Sequence, residues 1–127
     1  MNTDRRTGLI LFAHGARDPR WAAPFEAVAA RVRARSPATE VRLAFLDLMT
    51  PDLPTAAADL AAAGCAAVTV LPLFLGAGGH VRRDLPLILD ALRTAHPAVH
   101  WSLQPPVGEL PAVIDAMASA GLDALRR

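Results

Sequence analysis

Two histidines and one aspartate of this 127-residue chain stand at the ends of apolar, strand-like runs, where their side chains suit a divalent metal site. His14 follows the apolar run GLILFA, Asp47 closes EVRLAFLD, and His80 follows the glycines of LFLGAGG. Neutral imidazoles bind borderline cations such as cobalt and ferrous iron, and they also accept protons near neutral pH. Two imidazoles and a carboxylate would leave coordination positions open for a substrate. For either histidine taken alone, a purely structural role is the simpler alternative.

Three arginines lie near these histidines in the sequence. Arg82 and Arg83 fall where a helix is predicted to begin, and the helix dipole disfavours cations at that end. Beside free backbone N–H groups, their guanidinium groups would form a good carboxylate-binding site. Arg17 stands similarly soon after His14. The pattern favours a polyanionic ligand next to the metal, and solvated surface arginines are the alternative.

Gly76, Gly78 and Gly79 separate an apolar run from His80. The stretch GAGGHV lacks the G-x-G-x-x-G spacing of a dinucleotide-binding turn, and the chain contains no G-K-[ST] of a P-loop. The three serines also lie outside any nucleophile-elbow context, which argues against a Ser-His-Asp triad. We therefore expect the glycines to let the backbone pass close to a large flat ligand.

Apolar runs that favour strands alternate with helix-like segments along the chain. The predicted strands cover 8–14, 40–48, 66–74 and 99–103, and the predicted helices cover 19–35, 51–63, 82–95 and 110–125. Asp18 and Thr50, each followed by proline, are the expected N-caps of the first two helices. Pro24 leaves open a later start for the first helix, and Gly64 should end the second.

This alternation predicts an α/β fold, a three-layer sandwich in which a four-stranded parallel sheet has helices on both faces, as in flavodoxin-like proteins. The first strand should lie between the second and the third. Ligands of such sheets bind outside the carboxyl ends of the strands. Because neighbouring strands are about 4.8 Å apart, His14, Asp47 and His80 can converge within roughly 10 Å at that edge.

Composition limits the class of protein. Hydrophobic residues make up 53% of the chain and charged residues 20%, which indicates one folded domain over residues 1–127. A net charge of +1 without a basic stripe gives no reason to expect nucleic acid, and no apolar run approaches the ~18 residues of a membrane span. Because the only cysteine, Cys65, lies among alanines, we expect a buried thiol, no intrachain disulfide and a cytoplasmic location.

Four segments together resemble the sirohydrochlorin chelatases of the CbiX/SirB family, in particular its small single-domain CbiX type. They are HGARDP at 14–19, FLDLMTP at 45–51, PLFLGAGGHVRRDLP at 72–86 and LQPPVGELPAVIDAM at 103–117. The resemblance covers essentially the whole chain, and the glycine-histidine motif is its most specific part. It implies a chelatase half-lobe and a lyase that inserts cobalt or ferrous iron into sirohydrochlorin without ATP, for cobalamin or sirohaem. It also implies a homodimer.

The resemblance assigns roles residue by residue. His14 and His80 become metal ligands and, with Asp47, the catalytic residues. Asp47 stands where the family usually has glutamate, and it is one methylene shorter. The expected substrate-binding residues are Gly76, Gly78, Gly79, Arg82, Arg83 and Arg17. Sirohydrochlorin and a divalent metal are the expected partners, and no cofactor beyond the substrate metal is expected.

Three alternatives remain open at this point. The first is a nickel chelatase of the same type, since the same imidazoles bind all three metals. The second is a carrier that binds the metal or the tetrapyrrole without catalysing insertion. The third is a flavodoxin-like module for a nucleotide or flavin, which the missing phosphate-binding loop disfavours.

Overall fold

The computed structural model describes residues 6–127. Its strands are β1 (Arg6–Ala13), β2 (Glu40–Phe45), β3 (Cys65–Pro72) and β4 (His100–Leu103), and its helices are α1 (Ala23–Arg35), α2 (Leu53–Ala62), α3 (Gly79–Ala95) and α4 (Pro111–Ala124). Two 3₁₀ turns, Pro19–Ala22 and Val107–Glu109, precede α1 and α4. Within residues 6–127, none of the helices combines the length and the apolar character needed to cross a membrane.

The four strands form one parallel sheet in the order β2-β1-β3-β4. In register, Leu11 of β1 pairs with Leu43 on one side and Leu71 on the other. The predicted parallel sheet, with the first strand between the second and the third, is therefore confirmed. The carboxyl ends of β1, β2 and β3 come together at one edge, so the residues that follow them are neighbours.

The core lies on both faces of this sheet. Side chains of a strand alternate between faces, and accordingly Ile10 and Phe12 pack with the apolar sides of α2 and α3, whereas Leu11 packs toward Ala29 of α1. Cys65 is buried in the larger of these two clusters, as its alanine-rich surroundings predicted. Helix α4 contributes to neither cluster, and none of its residues is buried.

The starts of the first two helices differ from the predictions in instructive ways. Asp18 does cap a helix, but it is the short 3₁₀ turn, and α1 then begins with Pro24 in its first turn. The prediction that Thr50 caps the second helix is wrong. Asp52 is the cap, and its carboxylate accepts a hydrogen bond from the Thr55 N–H at 2.9 Å. The Pro51 carbonyl instead accepts from the Phe45 N–H at 2.9 Å, which holds this segment beside the end of β2.

Two element boundaries near the candidate site also differ from the predicted ones. Strand β2 ends at Phe45 rather than at residue 48, because Leu48 adopts a φ of 61° and the Met49 N–H bonds back to the Asp47 carbonyl. Helix α3 begins at Gly79 rather than at residue 82, since the Arg82 N–H already donates to the Gly78 carbonyl at 2.9 Å. His80 therefore lies in the first turn of a helix instead of in a loop.

Candidate active site

His14 follows β1 directly, and its side chain is exposed at the carboxyl edge of the sheet. The imidazole packs on the ring of Phe74, with ring centroids 4.4 Å apart and planes tilted by 32°. Phe74 lies two residues beyond β3 and is buried. His14 therefore presents one face of its ring to solvent, while the other face packs on an apolar side chain from the segment that follows the neighbouring strand.

The turn after His14 is held by side chains from two other segments. The indole Nε1 of Trp21 donates to the His14 carbonyl at 2.7 Å, and the Gly15 N–H donates to Oδ1 of Asp47 at 2.9 Å. A Cβ atom at Gly15 would overlap the Asp47 carbonyl oxygen, so only glycine fits this approach. The structure thus places Asp47 beside the turn that follows His14, with one carboxylate oxygen bound to the Gly15 backbone.

Asp47 lies in a tight turn that continues from β2. The Leu46 N–H donates to the Ala13 carbonyl at 2.8 Å, which is the last backbone hydrogen bond from this side of β1. The Met49 N–H then returns to the Asp47 carbonyl at 2.7 Å across Leu48, whose φ of 61° is unusual for a leucine. This turn directs the Asp47 side chain back toward Gly15.

His80 is the second residue of α3, and it is exposed. Gly78 occupies the N-cap position without any side-chain cap, so the first turn of the helix keeps free N–H groups near the histidine. A Cβ atom at Gly76, Gly78 or Gly79 would meet nothing within 4 Å, and none of the three has a left-handed φ. Packing within the chain therefore does not require glycine at these positions, and their backbone is bare toward solvent.

The three predicted arginines do not form one cluster. Arg82 donates to Oε2 of Glu109 at 2.9 Å and lines a cleft of about 310 Å³ between α3 and the segment after β4. Arg83 donates from Nε to the Gly79 carbonyl at 3.3 Å. Arg17 lines a different cleft of about 470 Å³, which lies between the 3₁₀ turn before α1 and the 48–51 segment. Arg82 is thus already paired, whereas neither Arg17 nor Arg83 takes part in a side-chain ion pair within residues 6–127.

The segment between β4 and α4 supports the loop that leads to His80. The Gly108 N–H donates to the Phe74 carbonyl at 3.0 Å, and a Cβ atom at Gly108 would overlap the backbone of Leu75. Together with the ion pair between Arg82 and Glu109, these contacts hold the start of the glycine loop and the first turn of α3. The sequence offers no local signal for this support, because its partners are separated by some thirty residues.

No ready-made three-ligand metal site exists among residues 6–127: no three His, Cys, Asp or Glu side chains lie close enough to bind one ion. In this structure His14, His80 and Asp47 therefore do not come together as one metal-binding cluster, and Asp47 is bound to the turn that follows His14. Trp21, Phe74 and Glu109 are the residues of this edge that sequence reasoning missed.

A parallel sheet of this kind, with helices on both faces, places the protein in the class of doubly wound α/β proteins, whose ligands bind outside the carboxyl ends of the strands. Comparison with known proteins identifies one family within this class. The CbiX family model matches residues 8–123, nearly the whole described chain. The protein belongs to the CbiX family, so the resemblance stated from its motifs is confirmed.

Relatives and solved structures agree with this assignment. The chain is 33% identical over 81 residues to a sirohydrochlorin cobaltochelatase of Methanococcus maripaludis, which covers 64% of this chain and 56% of that protein. It is 32% identical over 88 residues to the enzyme of the same name from Methanothermobacter thermautotrophicus, with 69% and 61% covered. The chain thus matches less than two thirds of the length of these relatives.

Among solved structures, the CbiX protein of Marinobacter aquaeolei VT8 superposes with a TM-score of 0.84 at 32% identity, and the match covers 95% of this chain and 98% of that one. The chelatase SirB of Bacillus subtilis subspecies spizizenii, solved in complex with cobalt, shares the fold with a TM-score of 0.78 at 22% identity. That match covers 93% of this chain and 50% of SirB. The predicted α/β chelatase half-lobe is therefore confirmed, and it corresponds in size to half of SirB.

Proposed function

We propose that this protein inserts a divalent metal, cobalt or ferrous iron, into sirohydrochlorin without ATP, in cobalamin or sirohaem biosynthesis. The observation that carries the proposal is the pair of exposed histidines on a CbiX-family fold: His14 directly follows β1, and His80 lies in the first turn of α3, the helix that follows the adjacent strand β3. Its relatives named sirohydrochlorin cobaltochelatase support the choice of substrate.

Metal insertion has three requirements: the ion loses water, it reaches the macrocycle, and two pyrrole N–H protons leave. The imidazoles of His14 and His80 bind the ion at one face of the ring and accept the protons that leave the pyrroles. The Phe74 ring beneath His14 keeps that imidazole from turning away from the edge. Asp47, one oxygen of which is bound to the Gly15 N–H, adds negative charge beside His14 and can relay a proton through its other oxygen.

The loops of this edge suit a large flat ligand. Trp21, Leu48 and Leu75 are exposed apolar side chains on the three loops that follow β1, β2 and β3. Gly76, Gly78 and Gly79 have open space where a Cβ atom would lie, so a macrocycle can approach their backbone closely. Burial of apolar surface against the ring would stabilise the complex by about 25 cal/mol for each Å² removed from water.

Sirohydrochlorin carries acetate and propionate groups that need cationic partners. Arg83 and the free N–H groups at the start of α3 support binding of one carboxylate beside His80. Arg17 lies on the other side of the edge, in the cleft of about 470 Å³, and suits a second carboxylate. Arg82 can join them only by exchanging its present partner Glu109 for a substrate carboxylate.

An anaerobic insertion assay tests the proposal. Purified protein is mixed with sirohydrochlorin and with cobalt, ferrous iron or nickel in turn, and the absorbance of the macrocycle reports insertion. His14→Ala and His80→Ala should each lower the rate about 100-fold or more, as expected for loss of a metal ligand that also accepts protons. His100→Ala is a matched control, because His100 is also exposed but starts β4 at the opposite edge of the sheet.

The same assay separates the alternatives. Rates equal to the protein-free control for every metal would refute the chelatase proposal, and metal or tetrapyrrole binding without acceleration would indicate a carrier. Fastest insertion of nickel would identify a nickel chelatase of the same type. Unchanged rates in both histidine variants would show that the site is elsewhere.

We also propose that the protein works as a homodimer and that α4 forms the interface. None of the residues of α4 is buried, and its exposed apolar side chains are Ile114 and Met117, followed by Leu122 and, just beyond the helix, Leu125. A single four-stranded edge leaves one face of a bound macrocycle open to water, and a second copy would close it. The match to half of SirB supports a second copy as the occupant, since this fold occupies half of that chain.

Light scattering at assay concentration tests the dimer. The wild-type protein should have twice the monomer mass, and Met117→Asp should make it monomeric and slow insertion. Leu87→Asp is the control, because Leu87 is an exposed leucine of α3. A monomeric wild type would refute the dimer, and dissociation by Leu87→Asp alone would place the interface on α3 instead.

We further propose that the chain acts as one domain in the cytoplasm. All four strands share a single sheet, which supports one domain. The unpaired Cys65 is buried, and burial raises the pKa of its thiol, so it is poorly reactive. A buried free thiol and no disulfide among residues 6–127 suit a reducing compartment.

A further inference from the structure

One peptide unit of the candidate site is held at both of its polar atoms. The carbonyl of His14 and the N–H of Gly15 belong to the same planar unit, and each is bound by a side chain from another segment: Trp21 Nε1 at 2.7 Å and Asp47 Oδ1 at 2.9 Å. We infer that Trp21, acting with Asp47, is a positioning residue that orients His14 for metal binding. The inference rests on the proposed role of His14 as a ligand.

The geometry of this peptide unit determines where the imidazole points. A planar unit that is bound at both ends cannot rotate freely, so ψ of His14 and φ of Gly15 are held together. Glycine on one side would otherwise give this turn wide conformational freedom, because it has no Cβ. Because the peptide is held and the imidazole packs on Phe74, both the backbone and the ring of His14 are restrained.

The sheet itself does not provide this restraint. The last backbone hydrogen bonds of β1 join the Ala13 carbonyl to the Leu46 N–H and the Phe12 carbonyl to the Leu73 N–H. The following peptide unit lies beyond the ladder, and side chains take over where backbone pairing stops. Without Trp21, the His14 carbonyl would have to bind water instead.

Trp21 is placed for this contact rather than for core packing. It lies in the 3₁₀ turn Pro19–Ala22, where its backbone N–H donates to the Asp18 carbonyl at 3.0 Å. The Asp18 carboxylate accepts from the Arg20 N–H at 2.9 Å and binds the Arg20 guanidinium, which closes the turn. The side chain remains 43% exposed, although a tryptophan present for packing alone would be expected in the interior.

Trp21→Phe tests the inference, because it retains an aromatic ring next to Phe25 and removes the indole N–H donor together with the five-membered ring that carries it. The probe is Co²⁺ alone, titrated into the protein and followed by its visible absorption. Loss of one hydrogen bond of ordinary strength should raise the Kd for Co²⁺ about five-fold. The intensity of the cobalt bands should change, and kcat/KM for the metal should fall.

Trp101→Phe is the matched control. The indole of Trp101 also donates to a histidine carbonyl, that of His96 at 3.2 Å, but it is buried and lies away from the edge that carries His14. This variant should lose stability in urea yet bind Co²⁺ like the wild type, whereas Trp21→Phe should show the reverse pattern. If both variants lose cobalt affinity in proportion to stability, Trp21 has only a structural role and the inference is wrong.

A second variant covers the case in which Trp21→Phe does not fold. The chain has two tryptophans, so in a Trp101→Phe background Trp21 alone can be replaced by benzothienylalanine, which exchanges the N–H for sulfur at nearly the same size. A weakened and spectrally altered cobalt complex supports the inference, and a complex identical to that of the Trp101→Phe parent overturns it. A wild-type protein that binds no Co²⁺ would overturn the proposed function together with the inference, whereas unaltered binding in the variants overturns the inference alone.

Discussion

Replacing Gly79 with alanine should make the protein slightly more stable and a poorer chelatase. Gly79 is the first residue of α3, a Cβ atom there would meet nothing within 4 Å, and its φ is not left-handed. At such a position alanine stabilises a protein by about 0.4–1 kcal/mol, mainly because the unfolded chain has fewer conformations to lose. For a chain of this size the melting temperature should rise by roughly 2–4 °C.

The effect on activity should have the opposite sign. The added methyl group would project from the bare glycine backbone into the space where we propose that the macrocycle lies. A displacement of about 1 Å at a reacting centre can cost on the order of 100-fold in rate, so we expect kcat/KM for sirohydrochlorin to fall about 10- to 100-fold. The affinity for Co²⁺ alone should be unchanged, because no metal ligand is altered.

Gly15→Ala is the contrasting case at the same edge. A Cβ atom there would overlap the Asp47 carbonyl oxygen and lie 2.9 Å from the Asp47 carbonyl carbon and 3.1 Å from the Met49 nitrogen. Relief of this overlap requires the turn to move, which breaks the hydrogen bond between the Gly15 N–H and Asp47. Overpacking and the lost bond together should destabilise the protein by about 2–4 kcal/mol.

Both predictions are tested by urea unfolding and steady-state insertion assays of the Gly79→Ala and Gly15→Ala variants. Insertion by Gly79→Ala at the wild-type rate would refute the proposal that the glycines form the floor of the macrocycle site. Wild-type stability of Gly15→Ala would refute the packing argument for Gly15.

Three further outcomes follow from side-chain contacts. Asp47→Asn should keep more insertion activity than Asp47→Ala, because the amide oxygen can still accept a hydrogen bond from the Gly15 N–H, and Asp47→Glu should be tolerated. Equal losses of activity in the Asn and Ala variants would show that the negative charge itself is required. Glu109→Gln should leave the free energy of unfolding within about 1 kcal/mol of wild type and lower KM for sirohydrochlorin by releasing Arg82, and an unchanged KM would show that Arg82 does not contact the substrate. The hydrogen bond from Thr55 lowers the pKa of Asp52 in the folded protein. The stability that this carboxylate contributes is therefore present above its unfolded pKa and is lost as the pH falls through its folded pKa. Urea unfolding below about pH 4 should show this loss in the wild type and a smaller loss in Asp52→Asn.

Much of this fold could be predicted from local patterns in the chain. Apolar runs of strand length, alternating with capped helical segments, predicted a four-stranded parallel sheet with β1 between β2 and β3, and the structure confirms it. Those patterns are readable because burial on one or both faces of an element imposes a period on neighbouring residues. The same reasoning placed His14 and His80 at the carboxyl edge and Cys65 in the core.

Element boundaries were less predictable, because hydrogen bonds beyond the local pattern decide them. Asp52 rather than Thr50 caps α2, since the Pro51 carbonyl pairs with the end of β2 and the Asp52 carboxylate is free to accept from Thr55. Helix α3 begins at Gly79 even though glycine has a low helix propensity. That shift matters for the site, because it moves His80 from a loop into a helical turn.

The details of the candidate site came from contacts between residues far apart in the chain. Asp47 binds the Gly15 backbone from 32 residues away, and Arg82 pairs with Glu109 across 27 residues. A residue's type and its neighbours in sequence report whether it can bind a metal or a carboxylate, but they do not report which partner it has after folding. The sequence by itself therefore determined which metal-binding and carboxylate-binding side chains lie at this edge. The tertiary structure decided which of these side chains already have a hydrogen-bond or ion-pair partner, because that depends on which strand ends and loops the sheet brings together.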